Sequence, residues 1–246
     1  MHKIIFIYFL ILCSGLNVFA QGCSPLDPRC IKITSFNGSY MGTSVHQEFH
    51  RAKTSTQTNN ETFDASVENK LSMKGTAGGL FVGVGATKST LYSGIEGGGE
   101  ISNASGNHSS SFVDGVNNAH QTNIRKTKTF FLMGRLGKQI KEDCLVYLKG
   151  GVSVSDYSFL FNLNSEINDL NLNKSENKRI IFPLIAFGVE FLAPKIFEGH
   201  EARIGIEYDY FFKKNISFNH MENTFKGASD IQLENDVLKI RLIYKI

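Results

Sequence analysis

The strictest constraint in this sequence is an alternation of side-chain type with a period of two residues, sustained to its last residue. From Glu201 to Phe212, the residues Ala202, Ile204, Ile206, Tyr208, Tyr210 and Phe212 fall on one side. Glu201, Arg203, Gly205, Glu207, Asp209 and Phe211 fall on the other. A helix would scatter both sets around its circumference, whereas an extended strand separates them. Leu238, Ile240, Leu242, Tyr244 and Ile246 repeat the pattern against Val237, Lys239, Arg241, Ile243 and Lys245. So do Phe130, Leu132 and Leu136 against Met133, Arg135 and Gly137, and Val146, Leu148, Val152 and Val154 against Tyr147, Lys149, Gly151, Ser153 and Ser155. Ile181, Ile185, Phe187, Val189 and Phe191 oppose Ala186, Gly188 and Glu190. Weaker alternation covers Phe36 to Phe49, Thr76 to Thr87 and Leu91 to Ile101. Eight segments result, each about the 9–11 residues that a tilted membrane-crossing strand needs.

The links between them alternate in length. Short ones fall at Lys88-Ser89, Lys141 to Asp143 and Pro194 to Gly199. Long polar ones fall at Arg51 to Gly75, Asn103 to Lys126, Leu160 to Lys178 and Lys213 to Asn235. An up-and-down barrel with short turns on one side of a membrane and long loops on the other gives this order, and the long links read as mobile surface loops. The amino terminus supplies an export route. His2 and Lys3 precede the apolar run Ile4 to Cys13, and Val18-Phe19-Ala20 offers a cleavage site. The run is too short to span hydrocarbon as a helix. Residues 1–20 are therefore expected to be a signal peptide, 21–35 a periplasmic N-terminal tail, and 36–246 a single barrel domain. Cys23 and Cys30 flank a Pro-containing stretch and can oxidise after export to a disulfide. A lipidated Cys23 is the weaker reading, because Ala20-Gln21-Gly22 lacks the usual upstream aliphatic residue. Cys144, at a strand start, reads as a small apolar residue.

Alternation alone does not say which face points in. A soluble lipocalin-like barrel turns its apolar face inward; a membrane barrel turns it to lipid. The other face carries both signs of charge at mid-strand: Glu96, Arg135, Lys149, Glu190, Arg203, Glu207 and Arg241. Sealed inside, these can pair with one another, while a cation turned to mid-bilayer lipid costs about 2–4 kcal/mol. Tyr208, Tyr210 and Tyr244 sit near strand ends in the apolar set, as interfacial anchors do. The expected fold is all-β, an eight-stranded antiparallel up-and-down transmembrane β-barrel, with these charges as an interior network. The net charge of +3 gives no reason to expect nucleic acid as a partner.

Several short motifs resemble those of the OmpA-like, opacity-type outer-membrane barrels. Phe36-Asn37-Gly38-Ser39-Tyr40-Met41-Gly42 looks like that family's opening strand. Gly78-Gly79 with Gly83 and Gly85, then Gly94-Ile95-Glu96-Gly97, are similar to its second and third strands. Gly134-Arg135-Leu136-Gly137, Leu145 to Gly151 and Ala202 to Tyr210 resemble later ones. The resemblance implies the outer membrane of a Gram-negative bacterium, with outer-membrane lipid and the outer-membrane assembly machinery as partners. Two departures stand out: the last residue is Ile246 where the family usually closes on an aromatic, and no peptidoglycan-binding domain follows the last strand.

Little in the sequence suggests catalysis. His46, Glu48 and His50 share a strand face as H-x-E-x-H, which is not the helical H-E-x-x-H of zinc sites; they are the candidates for a metal or haem, with a polar rim patch as the plainer reading. His108, His120 and His220 lie among serines in the long links, but nothing positions them as a site. The expectation is therefore a non-enzyme without cofactors. Its role belongs to four extracellular loops that meet a host or environmental surface ligand, since folds host sites without defining them. Small-solute porin and soluble lipocalin-like ligand carrier are the alternatives.

Overall fold

The computed structural model describes residues 36–60, 63–113, 117–165, 170–193, 201–222 and 225–246; the signal and tail expected over 1–35, with Cys23 and Cys30, lie outside these described residues. Nine strands follow one another: β1 (Gly38–Asn60), β2 (Phe63–Lys88), β3 (Leu91–Ser102), β4 (Ser105–Val113), β5 (Asn117–Lys141), β6 (Cys144–Ser165), β7 (Leu170–Leu192), β8 (Ala202–Glu222) and β9 (Phe225–Lys245). All pairings are antiparallel, and β1 bonds to both β2 and β9, which closes the sheet on itself. Strands β3 and β4 occupy one place in the ring, since both lie between β2 and β5 and are separated only by Asn103 and Ala104. The barrel therefore has eight staves.

Side chains sort as the alternation requires. Val45, Leu80, Ile95, Leu132, Leu148, Ile185, Ile206 and Ile240 all point out and are exposed, Leu80 by 72%. On β1 this apolar belt runs from Met41 to Phe49, a length that, tilted, matches a lipid-facing band about 25 Å tall. Tyr210 near one rim and Tyr244 near the other are half-buried and face outward with the belt. The short turns are two residues each at Ser89-Thr90 and Glu142-Asp143. Ser89 takes φ 59°, the left-handed conformation that tight hairpins demand and that glycine or asparagine supplies more cheaply.

The four long links depart from expectation. They are regular hairpins: β1 and β2 stay in unbroken register from Gly38↔Gly85 to Asn60↔Phe63, and β6 and β7 from Cys144↔Phe191 to Ser165↔Leu170. The reason is an inversion of polarity along each strand. On β1 the inward positions carry Tyr40, Ser44, His46, Glu48 and His50 below, then Ala52 and Thr54 above; the outward ones carry Met41, Val45 and Phe49, then Arg51 and Lys53. Beyond the belt the outside is water, so a strand keeps its alternation but exchanges which face is apolar. Ala52, Leu71, Met73, Ile124, Phe159, Phe161, Phe218, Ile231 and Leu233 form a buried apolar core there, inside the barrel. Thr, Ser and Asn between them suit solvated strand faces as well as loops, which is why bulk polarity misread them.

Candidate functional site

The lumen of the belt region is a charged chamber. Glu96, Arg135, Lys149, Glu190, Arg203, Glu207 and Arg241 are buried there. Arg241 is at its centre, donating from Nη2 to Glu96 and from Nη1 to Glu207, each at 2.6 Å. Lys149 Nζ lies 2.6 Å from both of these carboxylates. Tyr147 donates to Glu207 at 2.8 Å and Tyr40 to Glu96 at 3.1 Å. Towards the short turns, Glu190 lies 2.7 Å from Arg135 and 3.3 Å from Arg203. The Arg135 contact is out of line for a hydrogen bond, so it is an ion pair. That guanidinium also lies over a ring, 3.7 Å from the Tyr147 centroid.

Glycine makes room for these inward tyrosines. A Cβ on Gly83 would overlap the Tyr40 ring, and one on Gly188 would overlap Tyr147.

A second tier lies above, and sequence reasoning did not assemble it. Lys239 Nζ bridges Glu100 at 2.6 Å and Asp209 at 2.8 Å. Glu48 accepts from Lys126 Nζ at 2.5 Å and from Ser102 Oγ. Asp209 and Lys239 already stood on the polar faces of their segments, and Glu100 lies four residues, hence one strand face, from Glu96. Lys126 was hidden by its place in a presumed loop. The buried acids that face the lumen are then Glu48, Glu96, Glu100, Glu190, Glu207 and Asp209, buried Asp236 being paired instead with Arg51 at the rim; the buried cations within their reach are Lys126, Arg135, Lys149, Arg203, Lys239 and Arg241. Six match six, so the carboxylates and cations of the chamber balance one another. Neutrality is what a lumen walled by hydrocarbon requires, because an unpaired buried charge is strongly destabilising.

His46 and His50 flank Glu48, with each Nε2 3.5 Å from a different carboxylate oxygen, and His46 Nε2 is 3.8 Å from Glu100. The position a cation would take against Glu48 is held by the Lys126 ammonium. Among the described residues, no group of three or more His, Cys, Asp or Glu is arranged to hold a metal ion. His108 falls on β4 and His120 on β5, within one hairpin, while His220 lies on β8 in another, so the three are distributed and not gathered. Cys144 is unbonded and half-buried at the start of β6.

Charge network and apolar core stack along the axis, and together they fill the lumen with side chains, as a barrel of this strand number allows.

No family model matches the chain, and no characterised protein matches it in sequence. In structure it is similar to the outer membrane protease OmpT of Escherichia coli, at 9% identity and a TM-score of 0.44, covering 86% of this chain and 97% of that one. It is also similar to the outer membrane protein OprG of Pseudomonas aeruginosa (11% identity, TM-score 0.44, 85% and 96% covered). A third similar structure is the attachment invasion locus protein Ail of Yersinia pestis (12% identity, TM-score 0.31, 82% and 99% covered). At that distance no residue of theirs maps onto this chain, and the fold assignment stands on the strand register itself.

Proposed function

We propose that this chain is an outer-membrane β-barrel, closed to solutes, whose four extended hairpins present a rigid surface for contact with partners outside the cell. The observation that carries the reading is the polarity inversion along single strands. Val45 and Phe49 face out where Glu48 faces in, and a few residues further on Lys53 faces out where Ala52 faces in. An apolar exterior around a neutral charged lumen suits lipid; a polar exterior around an apolar lumen suits water. A soluble lipocalin-like carrier would have the second arrangement throughout, and a porin would need an aqueous lumen where this one holds six ion-paired carboxylates. Outer-membrane lipid is then the partner of the belt. The assembly machinery would receive the terminal strand β9, whose alternation survives although it ends on Ile246.

The test is a heat-modifiability gel on outer-membrane fractions, with planar-bilayer conductance on the purified protein. A compact band that shifts on boiling, found in that fraction and without unitary conductance, is the expected result. A protein recovered freely soluble from the periplasm refutes the membrane reading, and steady channels refute the closed lumen. Shortening a hairpin above the belt is expected to abolish partner binding while leaving the heat-shifted band intact.

A further inference from the structure

The ring is closed by backbone hydrogen bonds only as far as the belt. Strands β7 and β8 pair from Leu192↔Arg203 to Leu184↔Phe211 and no further among the described residues, although β7 continues to Leu170 and β8 to Glu222. On the opposite side β2 and β4 pair, among the described residues, only at Lys74↔Ser105. Above the belt the barrel is thus two four-stranded sheets, β8-β9-β1-β2 and β4-β5-β6-β7, face to face across the apolar core. The two seams differ. At β2–β4 the backbones touch: a Cβ on Gly106 would overlap Met73 and the Ser72 carbonyl. At β7–β8 a side chain bridges the seam among the described residues: Lys178, whose Nζ donates to the Ser217 carbonyl at 2.8 Å and lies 3.7 Å over the Phe218 ring.

Both strands carry a device that stops their ladder at the same level. Leu192 N bonds to Asp143 O on the β6 side, and Ala193 N to Ala202 O on the β8 side. The β6–β7 register is unbroken, so every odd-numbered residue of β7 aims its backbone at β8. Pro183 is one of these and has no N–H to give. On β8 a bulge falls between Phe211 and Lys214, which shifts the strand by one residue just past its last pair with β7. Above Pro183, the backbone groups of Ile181, Arg179, Asn177, Ser175, Asn173 and Asn171 face the seam along an edge that pairs with no strand among the described residues. Natural sheets blunt such an edge or use it.

We infer that the β7 edge of this seam is an acceptor site for an extended acidic polypeptide, which adds as a strand and displaces Lys178 from Ser217. Backbone groups in a row select a polypeptide in β conformation over other polymers. Charge tips the choice to an acidic one by a single unit: Lys174, Lys178, Arg179, Lys213 and Lys214 lie on the two edge strands against Glu176 and Glu222, and within the protein Lys178 lies 3.5 Å from Glu176 while Asp156 and Glu234 reach Arg179 and Lys213 from the neighbouring strands. The inference rests on the surface-contact reading and names the site and partner class.

The probe is a fluorescent peptide of alternating Asp and Val, titrated onto the detergent-folded full-length protein and read by anisotropy. Saturable binding is expected. Methylation of alternate peptide nitrogens on one edge, and separately Asn177→Pro in the protein, should each weaken it by about tenfold or more, the equivalent of one to two lost hydrogen bonds. Asn177 is exposed and its N–H is not spent on β6, so the variant should keep its heat-shifted band. No binding, or binding indifferent to methylation on either edge and to Asn177→Pro, overturns the inference; the latter would mean charge attraction alone, as a sulfated polysaccharide would also show. Because the titration is done in detergent, its failure is separate from a failure of the fractionation experiment, which tests the location.

Discussion

Replacing Arg241 with Met takes one positive charge out of a chamber in which six acids meet six cations. Glu96 and Glu207, each 2.6 Å from the guanidinium, are left to share Lys149. Breaking a buried pair by removing one partner costs about 3–5 kcal/mol, because the other charge stays buried and uncompensated. Met fills the volume beside the Phe81 ring, which lies 4.0 Å from the Arg241 carbon, so little of that loss comes from a cavity. Adding Glu207→Gln restores neutrality, with Lys149 then serving Glu96 alone, and should recover about 2–3 kcal/mol as a coupling energy. The assay is urea unfolding in lipid vesicles, followed by circular dichroism and by the heat-shifted gel band, since the chain has no tryptophan to report fluorescence. A single variant as stable as the parent refutes the account, and so does a double variant that loses the sum of both single losses. Either result would mean that water, and not Arg241, compensates these carboxylates.

The same assay reads three further predictions. Phe218→Ala empties the centre of the upper core, where that ring meets Phe159 at 4.8 Å and Phe161 at 5.2 Å, and should cost about 3–5 kcal/mol; an unchanged midpoint would mean that the hairpins do not pack as one body. Ile240→Arg puts a cation at the middle of the outward belt and should cost about 2–4 kcal/mol in bilayers, whereas Lys53→Met on the outward face above the belt should stay within about 0.5 kcal/mol. Equal effects at the two positions would show that the belt is not in lipid. Ser89→Gly relieves a left-handed turn position and should raise stability by about 0.5–1 kcal/mol, with no change in gel mobility; destabilisation would show that the serine side chain holds the turn.

How far the sequence could be read depended on contrast between faces. From Ala202 to Phe212 large apolar and charged residues alternate, so both the strand and the inward placement of Arg203 and Glu207 are legible from spacing alone. From Arg51 to Gly75 the contrast falls to Ala52 against Lys53 and Leu71 against Ser72, a difference that composition hides. Two further features confused the pattern there. The apolar set changes sides at the rim, so a reading that fixes apolar as outward loses phase. At Phe211 to Lys214 the bulge also moves the count by one residue, so Ile216 and Phe218 face inward although they share parity with outward Phe212. The partners within the charged chamber were not legible, because spacing gives a residue's face but not its height on a tilted stave. Glu96 meets Arg241 across a sequence distance that only the closed register defines.

The seam and the belt follow from one rule about backbone donors. In hydrocarbon every N–H must find a partner inside the protein, and each orphan costs several kcal/mol. Through the belt, β7 and β8 accordingly stay paired from Leu192↔Arg203 to Leu184↔Phe211. Pro183, whose absent donor would have pointed at β8, occurs at the rim, where the outward side chains change from Ile181 to Arg179 on β7 and from Phe212 to Lys213 on β8. Moved deeper, for example to Ile185, the same proline would break a ladder that water cannot repair. Ile185→Pro is therefore expected to prevent folding in bilayers, while Ile181→Pro, one step beyond the last pair, is expected to fold and to weaken only the binding of an added strand. The opposite ranking would mean that the opening between the two sheets is not set by where solvent begins.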